Sequence, residues 1–322
     1  MIPSSPFSIA AIGAALPASG QNVAEAGADL GLSRGEISMF SRLFGLDNLP
    51  YDAATRTDDL LLAAIDDVAA AAPGVFGRVT HMVHCHTVPA SRPPECDARL
   101  GLPAHVETMS LTMNHCATGL SALALAENWL EADNAVLVVI GEAAFHRRIR
   151  LIRDTTIMSE GAAAVLLTRT PGPWSVRGIH TSHAGATAIS RGHPREDMLL
   201  DTTYSNFVRD HIAASLAHFD TPLEDIALIL PHNVNTISWL KLAGEMGLPP
   251  GRLYLGNVGR IGHCFGADPF LNALSARDEG LLRPGDTALM VSVGMGMSAA
   301  SALIEFQSVP VTPTSREVFQ CP

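Results

Sequence analysis

Met113-Asn114-His115-Cys116-Ala117-Thr118-Gly119-Leu120, followed by Ser121-Ala122-Leu123-Ala124-Leu125-Ala126, decides how the rest of the chain is read. A polar, small-residue elbow carries one thiol and leads into an Ala/Leu-rich stretch that meets no Gly or Pro until well past Trp129. Ala and Leu are strong helix formers without side-chain polar atoms, so the stretch predicts a buried helix. Val106 to Met113, ahead of it, predicts a strand or extended entry. Cys116 then falls at or near a helix N-terminus, where unpaired N–H groups and the positive end of the helix dipole favour a thiolate. The competing reading is a small buried residue at a strand-to-helix turn, a common place for free cysteine.

The chain has 322 residues, 47% hydrophobic and only 16% charged. That composition predicts a compact protein with strands buried on both faces. A net charge of -11 opposes general nucleic-acid binding, which needs a basic footprint. Cys85, Cys96, Cys116, Cys264 and Cys321 are odd in number, widely spaced and free of CxxC pairs. They read as reduced thiols of a cytoplasmic protein. Met1 to Phe7 lacks a basic leader region, and no apolar run reaches membrane-spanning length, so no membrane association is expected.

Phe7 to Leu16 reads as a first buried strand. Helices are expected over Asn22–Leu32, over Ser33–Phe44 with Ser33 and Glu36 spaced as a capping box, and over Thr57–Ala72 with Thr57 or Asp58 as N-cap. Strands are expected at Val79–Thr87, Asn134–Gly141 and Gly161–Thr168. Ser91–Cys96 reads as loop, Asp97–Leu102 as a short helix at most, and Pro171-Gly172-Pro173 as a break near the middle.

The second half follows the same grammar. Ile226–Pro231 with His232 echoes the Val79 strand and its histidines. Gly262-His263-Cys264-Phe265-Gly266-Ala267, then a helical run from Phe270 to Ala276, echoes His115-Cys116-Ala117 and its helix. Asp286–Gly294 and Ser298–Phe306 echo the two remaining strands. His115 and His263 lie 148 residues apart, Gly141 and Gly294 153. A period near 150 is too long for a solenoid and reads as a duplicated αβ module, with mostly parallel, doubly covered sheets. Two halves paired about a pseudo-twofold axis would bring Cys116 and His263 together.

Nearly the whole chain resembles the thiolase superfamily and, within it, the β-ketoacyl-acyl-carrier-protein synthase III (ketosynthase III) family. The resemblance rests on Asn114-His115-Cys116-Ala117-Thr118-Gly119, on Ser159-Glu160-Gly161-Ala162-Ala163-Ala164-Val165 for the family's "DGAGAV" strand, and on Pro231-His232-Asn233-Val234-Asn235 for its "HQAN" motif. Gly262-His263 matches the "GN" position and Val293-Gly294-Met295-Gly296 the "GGG" turn. The resemblance implies an α/β fold, a five-layered αβαβα sandwich built from two duplicated halves, 1–172 carrying the nucleophile and 173–322 carrying two histidines. A homodimer with no resident cofactor is implied too.

By the same resemblance, Cys116 would attack an acyl thioester and carry the acyl group covalently. Backbone N–H groups of Cys116 and Met295 would form the oxyanion hole, with Gly294 and Gly296 shaping the turn. His232 would hydrogen-bond the second substrate's thioester oxygen or act as base, and Asn235 would support it. Glu160 reads as a turn or supporting residue rather than a catalytic acid.

His263 departs from the family, which normally carries Asn there. A Cys-His-His set resembles elongating ketosynthases, where two imidazoles stabilise an enolate. Asp268, five residues on, could instead complete a Cys116-His263-Asp268 triad, with His263 serving mainly the second half-reaction. Asp268 before Pro269 could equally be a helix N-cap. Thr236-Ile237 replace the Arg that follows "HQAN", and no Trp precedes Trp129, so a carrier-protein donor is at least as well supported as coenzyme A.

His81, His84, Cys85, His86, His115, Cys116, His263 and Cys264 lack the tight ligand pairs of a zinc site, so no metal is expected. No GxSxG, GxGxxG or GxxxxGKS motif occurs, which opposes an α/β-hydrolase or nucleotide binding. His146 to Arg153 is the one basic cluster, read as a solvated face before a carrier-protein docking patch. The expected function is acyl transfer from an acyl-CoA or acyl-carrier-protein thioester, by way of Cys116, to a small-molecule oxygen or nitrogen nucleophile in secondary metabolism. The alternatives are decarboxylative carbon–carbon bond formation and a non-catalytic thiolase-fold partner subunit.

Overall fold

The structure is a computed structural model that describes residues 7–87, 103–112, 114–144, 146–185 and 194–307. The loop expected at Ser91–Cys96, the short helix at Asp97–Leu102, and Met113 lie outside the described residues.

The apolar runs fold as strands β1 Phe7–Ala15, β2 Val79–Cys85, β3 Glu107–Leu111, β4 Ala135–Glu142, β5 Gly161–Thr168, β6 Trp174–His183, β7 Ile226–Pro231, β8 Thr287–Gly294 and β9 Ser298–Phe306. The main helices are α1 Thr57–Ala71, α2 Thr118–Ala126, α3 Pro194–His218, α4 Thr236–Glu245 and α5 Asp268–Asp278. The strand order is β7-β8-β9-β6-β1-β5-β4-β2-β3. It is nearly symmetric about the centre, where only Phe7–Ile9 and Trp174–Val176 pair to join the two sheets.

The expectation of mostly parallel sheets is corrected. β2–β3, β2–β4 and β7–β8 pair in parallel, whereas β1–β5, β4–β5, β6–β9 and β8–β9 are antiparallel. In the second half the cause is visible in the chain: three residues, Met295–Met297, connect β8 to β9 as a hairpin, and a connection that short cannot make a parallel crossover.

Five layers follow from the packing. α1 buries Leu60, Leu61, Ala64, Ile65 and Val68 on the outer face of the first sheet. α2 and α5 lie between the sheets, in one core that joins Val83, Val138 and Val165 to Leu230, Met290 and Ala302. α3 and α4 cover the second sheet's far side with Val208, Ile212, Trp239 and Leu242. At nine residues α2 is too short to hold a helix alone, so burial on both sides stabilises it.

The capping box at Ser33 and Glu36 forms. The helix it starts runs Arg34–Ser38 and continues as a π turn over Met39–Leu43. α1 is preceded by Arg56 at its N-cap rather than Thr57 or Asp58, with no side-chain cap bond.

The repeat register also changes. Turns His115–Ala117 and Phe265–Ala267 lead into α2 and α5, and both begin with a positive φ, at His115 (49°) and Phe265 (54°). Equivalent residues are therefore 150 apart: Cys116 answers to Gly266, and Thr118 to Asp268. At the axis the backbones touch. A Cβ on Gly119 would sit 2.8 Å from the Gly266 carbonyl oxygen, and one on Gly266 3.3 Å from that of Cys116. This crowding leaves little room for a second side chain opposite Cys116, so the duplicated scaffold presents one thiol.

Candidate active site

The elbow is fixed from both halves. Ala117 N–H donates to the Asn114 carbonyl, Asn114 Nδ2 donates to Ser121 Oγ, and Ser121 Oγ donates to the Ala117 carbonyl. From β8, Ser292 Oγ donates to the Cys116 carbonyl at 2.6 Å. The β8–β9 turn closes against the same backbone: a Cβ on Gly294 would meet the Asn114 carbonyl oxygen at 2.1 Å, so only glycine fits. Gly296 has φ 91°, whereas Met295 is absent from the positive-φ residues and needs no glycine. Its side chain is among the most exposed apolar ones described, at 56%.

Cys116, His263 and Asp268 lie in a line, all buried. Cys116 Sγ is 3.3 Å from His263 Nε2, and His263 Nδ1 is 2.5 Å from Asp268 Oδ2. Asp268 is helical and follows Ala267 at the N-cap position, and its side chain makes no cap bond, so the N-cap alternative is set aside. Its carboxylate instead accepts from Cys264 N–H at 2.7 Å and Asn233 N–H at 2.6 Å. Burial by itself would pull the His263 imidazole down. The Asp268 carboxylate, then Cys116, outweigh it and push the pKa up to about 10. Its Nε2 stands directly beside the Cys116 sulfur.

His232, at the end of β7, is held by its N–H to the Val291 carbonyl and by Trp239 Nε1 donating to its own carbonyl at 2.9 Å. Its ring centroid is 5.6 Å from that of His263. Burial, then the charge of His263, hold the His232 imidazole well below the usual range, so it stays neutral. Nε2 is 3.1 Å from Tyr204 Oη, while Nδ1 is buried without a hydrogen-bond partner.

Asn235 caps α4, accepting from Ser238 N–H, and its Nδ2 donates to the Thr155 carbonyl, tying the two halves together. Glu160 accepts from Ala144 N–H and is pushed up, chiefly by burial, in a place that suits a supporting residue. Of the basic cluster, Arg147 and Arg148 are exposed. Arg150 is buried, 3.6 Å over the Tyr51 ring, so the expected solvated face is partly an interior tie.

Sequence reasoning missed Tyr204 and Asn272 and gave Asn233 no role of its own. Asn272 Nδ2 bridges the Pro231 carbonyl and Asn233 Oδ1, fixing the loop that presents His232. Tyr204 had a legible signal, since Tyr204, Val208, Ile212 and Leu216 recur every four residues along α3.

Known proteins resemble the chain in sequence and in fold. A family model described as 3-oxoacyl-[acyl-carrier-protein (ACP)] synthase III C terminal matches residues 216–306. A β-ketoacyl-[acyl-carrier-protein] synthase III of Nitratidesulfovibrio vulgaris is 28% identical over 202 residues, and the match spans 59% of this chain and 57% of that protein. A 3-oxopimeloyl-[acyl-carrier-protein] synthase of Rhodothermus marinus is 27% identical over 330 residues, spanning 92% of each. Among solved structures, the acyltransferase ChlB3 superposes with a TM-score of 0.79 at 19% identity, covering 94% of this chain and 98% of that one. FabH of Thermus thermophilus does so with a TM-score of 0.77 at 22% identity, covering 94% and 100%. At these identities the two structures speak for the fold.

Proposed function

We propose that the chain is a ketosynthase III-like member of the thiolase superfamily, as its sequence likenesses support, and that it is an acyltransferase that loads an acyl group onto Cys116 and passes it to an oxygen or nitrogen nucleophile. The observation that carries this reading is the line from Asp268 through His263 to Cys116. A carboxamide at position 263 could not take a proton from an acceptor; an imidazole held by a carboxylate can.

In the proposed cycle His263 rests as imidazolium beside the sulfur. The Cys116 thiolate attacks the thioester carbonyl of an acyl-CoA or acyl-carrier-protein donor. The backbone N–H groups of Cys116 and Met295 hold the oxyanion. Collapse breaks the donor's C–S bond, and the leaving thiolate takes the proton from His263 Nε2. His263, now neutral, removes the acceptor's proton as its oxygen or nitrogen attacks the Cys116 thioester. The C–S bond to Cys116 breaks and the resting pair returns. Asp268 keeps Nδ1 protonated throughout. The reading includes 1–172 and 173–322 as the duplicated halves, a homodimer, and a place in secondary metabolism.

A second reading is decarboxylative condensation, favoured by the proximity of two imidazoles, 5.6 Å between centroids. Incubation of the acyl-loaded protein with a malonyl thioester, then with alcohols or amines, separates the two. Ester or amide formed without carbon dioxide release supports acyl transfer. Carbon dioxide release coupled to a new carbon–carbon bond, with no ester or amide, rejects it.

A further inference from the structure

His232 can meet a second substrate through one atom only. Nδ1 is buried with no hydrogen-bond partner, and Nε2 is taken by the Tyr204 hydroxyl at 3.1 Å. Tyr204 reaches in from α3. Its ring also lines a cavity of about 20 Å³, room for a single water, together with Ser205, Val208, Ser238, Trp239 and Leu242. One face of this side chain therefore meets a water-sized space and its tip meets His232. Burial pushes the Tyr204 hydroxyl up. The phenol stays protonated and can only be replaced at Nε2 by another hydrogen-bonding group.

We propose that the Tyr204 hydroxyl holds the place of the acceptor's hydroxyl on His232, and that an alcohol acceptor must displace it before acyl-Cys116 can be transferred. This rests on the acyltransferase reading. The place suits a neutral hydroxyl rather than an alkylammonium ion, because the carboxylate nearest the histidine pair, Asp268, already accepts from His263, Cys264 and Asn233. Until displaced, Tyr204 also keeps water off the thioester. Without it, water oxygen bonds to the acyl carbon, the C–S bond to Cys116 breaks, the water proton goes to His263, and a carboxylic acid is released.

Tyr204→Phe keeps the ring and removes the hydroxyl; Tyr204→Ala removes both. Loading by an acyl thioester is followed in each variant, and hydrolysis is expressed per acylated Cys116. Hydrolysis of acyl-Cys116 should rise several-fold in the Phe variant and more than tenfold in the Ala variant, so that the partition between water and alcohol shifts toward water. A matched alcohol should outcompete the amine of the same carbon skeleton in the wild type. Iodoacetamide labelling of Cys116 at fixed pH, which needs no acyl chemistry, should also accelerate several-fold in both variants. Unchanged hydrolysis and labelling, or loading and hydrolysis falling together, overturns the proposal, as does an amine that equals the alcohol. A wild type that takes no acyl group defeats the acyltransferase reading instead, and the labelling arm still decides whether Tyr204 guards the site.

Discussion

The residue that distinguishes this site is His263, which under the proposed function turns a hydrogen-bonding position into a proton-transferring one. Its effect depends on Asp268. Replacing Asp268 with Asn keeps the shape but leaves a single accepting oxygen, so at most two of the three hydrogen bonds survive, and it removes the charge that holds the imidazolium. Acyl transfer should fall by about 10²-fold or more, in line with the loss seen when a triad carboxylate becomes an amide. Asp268→Ala should in addition cost roughly 3–5 kcal/mol, since it strands a buried charged partner; urea unfolding measures it. An Asn variant with full transfer activity would show that Asp268 only builds the loop. Cys116, His232, His263 and Asp268 were legible because motif spacing and chemistry named them together. Asn272 was not, because a lone amide inside a helix carries no signal until the fold shows what it faces, and the four-residue period that includes Tyr204 marks a buried face without naming His232 as its partner.

At the scale of elements, the β8–β9 turn and the elbow are one unit. Gly294→Ala drives a methyl group into the Asn114 carbonyl. Backbone cannot yield cheaply there, so the turn must shift, at about 1–3 kcal/mol in stability. Acyl loading should drop more than Tm does, because the displaced Met295 N–H leaves the oxyanion position. Loading that survives in a folded Gly294→Ala protein would remove this turn from the chemistry. The strands of both halves were read from mostly apolar runs, and β1, β4, β5 and β8 show why, being buried along nearly their whole length, whereas the edge strand β3 is exposed. β6 escaped because its second half, His180-Thr181-Ser182-His183, is polar and looks like loop. α4 escaped because Asn235 drew attention as part of a motif rather than as the N-cap of an amphipathic run.

At the scale of the whole molecule, buried histidines of opposite bias set the pH response. His263 is raised to about 10, so its stabilisation is full below the unfolded imidazole value of 6.5 and is lost as pH rises through 10. His211, between Ser182 and Ser301, is lowered to about 4 by burial and the nearby His180, so its stabilisation is present above 6.5 and lost as pH falls through 4. His232 acts in the same direction as His211. Urea midpoints measured from pH 4 to 10 should therefore peak near pH 6.5 and decline on both sides; a steady rise to pH 9.5 would contradict the His263 assignment. The duplication was readable from sequence to within three residues. Its true register of 150 was not, because it is set by backbone contact at Gly119 and Gly266 that leaves no trace in residue type beyond two glycines.

The account stands on a thiol from one half being made reactive by an imidazole from the other, and intact-protein mass spectrometry after incubation with an acyl thioester tests that most directly. The wild type should gain the mass of one acyl group, and Cys116→Ala should gain none. An unmodified wild type, or an adduct that persists in Cys116→Ala, would contradict it.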